Sequence, residues 1–404
     1  MKKAFQYVVL PLLLFCSAAL LRAQSDVPRV FLMDAKSLGT TKEKVAKHDA
    51  NVEPAIRKIE ADAKKVLEGG VYSVTTKGMV PPSGDKHDYM SQAPYFWPDP
   101  TKKDGMPYIR KDGERNPEIN GITDHTTLDK MESGVETTAL AYYLTGNDAY
   151  AKKSVELLRA WFLDPATRMN PNLEYGQYIP GVNTGRGIGL IETRGLTRVV
   201  DSIGLLENSK ALTDKDRQGL KDWYAKFLTW MQESKNGREE SASKNNHGTY
   251  YDLQITSYAL FLGNTDLAKR TLETAKTKRI ALQVESDGRE PLELVRTKAW
   301  SYSIGNLEGL MELATLGESV GVDLWHFQTA DGRSIRKALD YLYSFAVGEK
   351  WKYEQIGGFE PQALYPAMRR AAAHYNDAKF KEMMAKIPPA DPSSKDSLVL
   401  ARAF

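Results

Sequence analysis

The sequence predicts an all-α protein in which successive helical hairpins close into an (α/α) toroid, an incomplete barrel of about five to seven such pairs. Three observations carry this. Apolar residues recur at helical spacing through most of the chain. A hairpin joint repeats, because Gly146-Asn147 followed by Ala151-Lys152 returns at identical offsets as Gly263-Asn264 followed by Ala268-Lys269, with a looser copy at Asn376-Asp377-Ala378-Lys379. Glycine or asparagine suits the left-handed position that closes a helix, so a repeated joint implies a repeated unit. Finally, alternating strand patterns are scarce, Val71 to Thr75 being the main candidate. An open α-solenoid is the competing arrangement.

In chain order, Lys2 and Lys3, an apolar run from Val8 to Leu21, and Ala23 before Gln24-Ser25-Asp26 have the layout of a secretory leader. Pro11 interrupts the run, which is too short and too close to the terminus for a membrane span. Removal after about Ala23 is expected, leaving residues 24–404 as a single toroid domain, exported and periplasmic, with secretion or surface anchoring as alternatives. The only cysteine, Cys16, leaves with the leader, so no disulfide or thiolate metal site is expected in the remainder. Lys2, Lys3 and Arg22 account for the whole formal charge of +3, and the rest is neutral. Any affinity for a polyanion must therefore come from a local basic groove, and nucleic acid is not an expected partner. The oligomeric state is not legible from the sequence.

Val45, Val52, Ile56, Ile59, Ala63 and Val66 predict helix from Lys42 to Leu67, divided at Pro54. Val71 to about Asp124 carries Pro81-Pro82, Trp97-Pro98-Asp99-Pro100 and Gly105-Met106-Pro107, which predicts a long irregular segment, unusual in a domain and often functional. Helices on either side of Gly146 follow. Further helices are expected over Arg194 to Leu206, after the cap Thr213-Asp214-Lys215-Asp216, and over Leu253 to Leu262, Ile304 to Leu316, Ser334 to Phe345 and Pro361 to Tyr375.

Two clusters stand out chemically. Asn245-Asn246-His247 precedes a helical run, and a helix N-terminus attracts negative charge, although asparagines there can simply cap the helix. Glu290-Pro291-Leu292-Glu293-Leu294-Val295-Arg296 leads to Trp300-Ser301-Tyr302. If helix began at Arg296, Tyr302 would sit on a different face, so the two converge only where the helix breaks or starts later. Packing readings stand beside this: Arg296 paired with Glu293, Tyr302 and Trp300 in the core.

Taken together, Asn245-Asn246-His247-Gly248-Thr249-Tyr250-Tyr251 and Pro291-Leu292-Glu293-Leu294-x-Arg296-Thr297-x-x-x-x-Tyr302 resemble the paired signature of the alginate lyase-like polysaccharide lyases, family 38 foremost and family 5 next. Tyr95-Phe96-Trp97-Pro98-Asp99 and Gly185-Arg186-Gly187-Ile188-Gly189 extend the likeness, which spans Ser91 to Asn306. The resemblance implies an (α/α) toroid enzyme that cleaves a uronate polymer, foremost mannuronate-rich alginate, by β-elimination without a cofactor. It implies Tyr302 as the proton-transferring residue, His247 as the second catalytic group, and Asn246 with Arg296 as neutralisers of the substrate carboxylate. Tyr95 and Trp97 are candidates for stacking on sugar rings, His125, Arg186 and Asn245 for holding substrate, and Tyr251 and Trp300 for shaping the cleft. Ordinary packing or surface pairing is an equal reading for most of these.

The alternatives are a glucuronan lyase with the same machinery, and a glycoside hydrolase on a similar toroid, for which Asp124, Glu132 and Glu192 supply carboxyls. A non-catalytic glycan-binding protein is a third. Six scattered histidines without a His-Glu-x-x-His pattern offer no strong metal-ligand set, which leaves a structural cation bound by carboxylates as the one metal alternative.

Overall fold

Helices carry the architecture of the computed structural model, which describes residues 27–375, 377, 379–387, 393 and 396–399. The leader expected at residues 1–23 lies outside the described residues, as do Asn376 and Ala378 of the third joint. The principal helices are α1 (Ala35–Ala46), α2 (Glu53–Glu68), α3 (Asp124–Thr145), α4 (Asp148–Leu158), α5 (Leu196–Leu205), α6 (Asp214–Glu233), α7 (Lys235–Ser241), α8 (Asn246–Leu262), α9 (Thr265–Ala275), α10 (Ala299–Glu318), α11 (Ile335–Ala346) and α12 (Tyr365–Tyr375).

Packing sorts these into two rings. α3, α5, α8, α10 and α12 touch one another in that order and form the inner ring, while α4, α6, α9 and α11 lie outside, each against the inner helix of its own hairpin or the next. Sequence explains the sorting. An inner helix is covered on all sides, and in α5 every residue except Arg198 is buried. An outer helix buries one stripe, as α9 does with Ala268, Leu272 and Ala275. α8 contributes to both halves of the core: Tyr251, Ile255 and Tyr258 pack toward α6, and Leu253, Ala259 and Leu260 toward α10.

Both described joints work as the sequence implies. Gly146 and Gly263 close their helices at φ 73° and 79°, and the following Asn147 and Asn264 accept from the backbone amides of Ala149 and Leu267 to start the next helix. The first expected helix is two: α1 begins at Ala35, ahead of Lys42, and Pro54 sits in the first turn of α2 rather than between them. Val71 to Thr75 is not a strand, since Ser73 caps a single 3-10 turn over Val74–Thr76.

The irregular segment is ordered across the top of the ring. β1 (Met90–Gln92) pairs in parallel with β4 (Tyr175–Tyr178), and β2 (Phe96–Trp97) pairs antiparallel with β3 (Ile109–Arg110). Lys77 and Asp124, both fully buried, form an ion pair at 2.8 Å that fastens the start of the segment to the first turn of α3. Asp201 of α5 accepts from the backbone amides of Phe31, Leu32 and Met33, which pins this N-terminal stretch of chain beneath the ring. None of the described helices is long and apolar enough to cross a membrane.

Candidate active site

The inner helices and the irregular segment enclose a cleft of about 810 Å³. Six arginines line it, Arg110, Arg115, Arg186, Arg194, Arg198 and Arg296, together with His125 and His247. The neutral body of the chain thus concentrates positive charge where a polymer could lie.

One wall is the N-terminus of α8. Asn245 stands at its N-cap position without a side-chain cap bond, while its carbonyl accepts from Gly248. The helix can start here because Gly248 has no side chain: a Cβ would come 2.2 Å from both Arg279 Nη1 and the Ser243 carbonyl. Arg279, fully buried, donates to both oxygens of Asp252 and to the carbonyls of Ser241 and Ser243, so the loop entering α8 is held to the helix itself. His247 follows in the first turn, and its Nδ1 lies 2.7 Å from Oε1 of the buried Glu240. A carboxylate on Nδ1 favours a proton there and leaves Nε2 as the basic nitrogen.

The adjoining wall comes from the segment before α10, whose Glu293 accepts from Asn246. α10 begins at Ala299, three residues after Arg296, and that late start lets Arg296 and Tyr302 converge: the guanidinium lies 4.0 Å from the centre of the Tyr302 ring. Arg296 is paired with Asp112 of the irregular segment through Nε at 3.0 Å and Nη2 at 2.9 Å, and not with Glu293. Burial opposes ionisation of Asp112, but the bond from Arg296 and that from the Thr297 amide outweigh it and hold the carboxyl well below its usual range. The Tyr302 hydroxyl donates to the Tyr95 hydroxyl at 2.9 Å. Burial and then the Tyr95 contact push the Tyr302 phenol above its ordinary value, with Arg296 opposing, so at neutral pH the phenol keeps its proton.

Asn246, Asn245, His247, Arg296, Tyr302, Tyr95, His125 and Arg186 therefore all line one cleft. Arg186 donates to Gln177 at 2.8 Å and lies over the Phe96 ring; burial brings its pKa down to about 10. Gln177 itself holds a left-handed φ of 50°, strain placed at the cleft wall. His125 pairs with Asp129 at 3.2 Å; burial pulls its pKa down, but Asp129 and Glu192 outweigh it and the net shift is upward.

Three expected cleft residues stand elsewhere. Trp300 is 1% exposed and packs edge-on against Trp351 and against Phe359, its indole donating to the Glu360 carbonyl. Tyr251 is buried, donating to the Met231 carbonyl. Both serve packing because helical periodicity turns them away from the residues beside them in the motif. Trp97 sits beside the cleft, not in its lining, donating to the Glu114 carbonyl under Lys111. Of the carboxyls a hydrolase would use, Asp124 is tied up with Lys77, whereas Glu132 and Glu192 do line the cleft. Glu192 accepts from Tyr89 and Ser91, and burial raises the Glu132 carboxyl to about 8. Among the described residues no group of histidine, cysteine and carboxylate side chains could hold a metal ion.

Sequence reasoning missed Glu240, Asp112 and the arginines other than Arg186 and Arg296. Glu240 lies seven residues before His247, in a separate short helix, so no periodicity links them. Asp112 lies 184 residues from Arg296.

A ring of helical hairpins around an arginine-lined groove, with an imidazole, a phenol, an amide and a guanidinium brought together on its walls, is the architecture of a polysaccharide lyase. Solved structures agree. An alginate lyase from Bacteroides ovatus superposes with a TM-score of 0.90 at 40% identity, covering 93% of this chain and 99% of that one. Alginate lyase A1-III from Sphingomonas species A1 shares the fold at 15% identity and a TM-score of 0.60, over 91% of this chain and 95% of its own. No curated protein matches. The family profile described as Alginate lyase matches residues 73–351, and the chain belongs to that family.

Proposed function

We propose that this enzyme cleaves alginate by β-elimination, with Tyr302 and His247 moving protons and Arg296 and Asn246 neutralising the uronate carboxylate. The observation that carries this reading is the convergence of those four side chains, from two separate segments, on one arginine-lined cleft. The C5 proton of a uronate is very weakly acidic, but charge developing at C5 spreads into a C6 carboxylate that is already neutralised. Arg296 offers a rigid donor fork and Asn246 an amide. Where C5–H and O4 lie on opposite faces, as in guluronate, Nε2 of His247 takes the C5 proton and the protonated Tyr302 phenol delivers one to O4. Where they share a face, as in mannuronate, Tyr302 serves both steps and must first ionise, which its raised pKa resists and the adjacent Arg296 favours. Glucuronate shares the mannuronate geometry.

The test follows the ultraviolet absorbance of the unsaturated product on polymannuronate, polyguluronate and glucuronan, for wild type and Tyr302→Phe. A rise on alginate blocks that falls by roughly a hundredfold or more in the variant supports the reading. New reducing ends without absorbance would instead point to hydrolysis through Glu132 and Glu192. We also propose export to the periplasm, supported by the basic, apolar and small-residue succession before Gln24. Sequencing the N-terminus of the protein recovered from a periplasmic extract tests it, an uncleaved Met1 counting against.

A further inference from the structure

Beneath Asn246 lies a pair of buried acids that the proton transfers described above do not use. Glu293, 1% exposed, accepts from the Asn246 backbone amide through Oε1 at 2.7 Å and from Asn246 Nδ2 through Oε2 at 2.9 Å. Glu290 lies behind it, accepting from Asn306 Nδ2 at 2.8 Å. Nδ2 spends one of its two hydrogens on Glu293, and the other amide atom of Asn246, Oδ1, is buried and has no hydrogen-bond partner in the protein. A substrate carboxylate is acceptor-only, so it can use the second N–H but is repelled by the bare Oδ1 beside it.

Turning the amide end for end offers both Nδ2 hydrogens to the substrate but brings Oδ1 to the place where Nδ2 met Glu293 Oε2. Two acceptor oxygens cannot share that contact unless one carries a proton. We propose that Glu293 is the positioning residue for carboxylate recognition: a proton on its Oε2 donates to Asn246 Oδ1, turns Nδ2 toward the uronate, and is taken up from solvent as the substrate binds. The inference rests on the reading of Asn246 as a carboxylate ligand. The charged or titratable groups facing Glu293 are Glu290 behind it and Arg296 and His247 on the cleft side. Burial outweighs the Asn246 hydrogen bonds, Arg296 and His247 and leaves Glu293 raised to about 7. Glu290 is raised much further, by burial and by the Glu293 carboxyl beside it, so of the two Glu293 is the acid that changes state near neutrality.

A glutamine side chain fits this site in one orientation. Its Oε1 accepts from the Asn246 backbone amide while its Nε2 donates to Asn246 Oδ1, a permanent copy of the protonated acid. The experiment is calorimetry of a mannuronate oligosaccharide binding to Tyr302→Phe protein at pH 7.5, in buffers of different ionisation enthalpy, with and without the second substitution Glu293→Gln. Net uptake of roughly 0.5–1 proton is expected with Glu293 in place and is lost on Glu293→Gln. In turnover, wild-type KM rises roughly tenfold or more between pH 6.5 and 8.5, because only the protonated fraction binds well. Glu293→Gln holds KM at its low-pH value across that range, and Glu293→Ala raises it throughout. Equal proton uptake with and without Glu293, or Glu293→Gln behaving like Glu293→Ala in protein whose circular dichroism is unchanged, overturns the proposal. Turnover by the wild type on the same sugar is the separate check on lyase activity: oligosaccharide binding without unsaturated product would sink that reading, and proton uptake would still decide for or against Glu293.

Discussion

Glu240 is 1% exposed and accepts from His247 Nδ1 at 2.7 Å, which fixes the imidazole in the cleft. A buried carboxylate on one ring nitrogen sets the tautomer and the orientation of the ring, and its charge stabilises the imidazolium that forms when the other nitrogen takes a proton. Glu240→Gln keeps an acceptor for Nδ1 but removes the charge, so it should slow polyguluronate cleavage by roughly tenfold or more while affecting polymannuronate less. The contrast arises because, in the proposed mechanism, His247 is the proton acceptor only where C5–H and O4 lie on opposite faces. Parallel kcat measurements on the two polymers decide it, and equal losses on both would mean that Glu240 merely supports the loop. The residue scale is also where the sequence was least legible. His247, Arg296 and Tyr302 stand in short motifs, but their partners Glu240, Asp112 and Tyr95 are brought to them by folding of the irregular segment and of a separate short helix. No local pattern records such contacts.

Among the elements, helical hairpins were legible because their signals are local: apolar stripes, and the Gly-Asn joints whose glycines adopt positive φ at 146 and 263. The start of α10 was not. Apolar periodicity begins at Ile304, yet the helix begins at Ala299, where the Gln355 side chain accepts from the amide of Trp300 and the Glu354 carbonyl from that of Ala299. Those contacts stop the helix short of Arg296 and so create the Arg296–Tyr302 pair. The irregular segment, in turn, depends on the Lys77–Asp124 ion pair, which has no exposure to water on either side. Removing one member of such a pair strands the other charge, so Lys77→Ala should cost about 3–5 kcal/mol of stability. Replacing both members, as Lys77→Met with Asp124→Leu, should recover most of that loss. Urea unfolding of the two variants checks it; a single variant as stable as wild type would mean that the pair is not a fastening.

For the molecule as a whole, charge is distributed rather than accumulated. The formal +3 is matched by Lys2, Lys3 and Arg22 alone and the remainder of the sequence is neutral, yet six arginines face one cleft. Some of that charge is neutralised inside the protein, since Arg110 and Arg296 pair with Asp112 and Arg198 faces Glu136 at 3.7 Å. Arg186 is different: its partners are an amide oxygen and an aromatic face, and its Nε has no hydrogen-bond partner in the protein. A groove of this kind attracts an extended polyanion over a range that added salt shortens, from about 10 Å at 0.1 M to 3 Å at 1 M. In the proposed mechanism the groups that move protons contact the sugar directly, where screening acts much less. Raising sodium chloride from 50 to 500 mM should therefore increase KM for long alginate several-fold with little change in kcat, and should affect a short oligosaccharide less. Arg186→Gln should weaken the salt response by removing one cleft cation while leaving the Tyr302 and His247 geometry in place. Steady-state kinetics over that range test both expectations: a KM indifferent to salt would show that the arginines act by contact alone, and a fall in kcat with salt would place screening at the reacting centre itself.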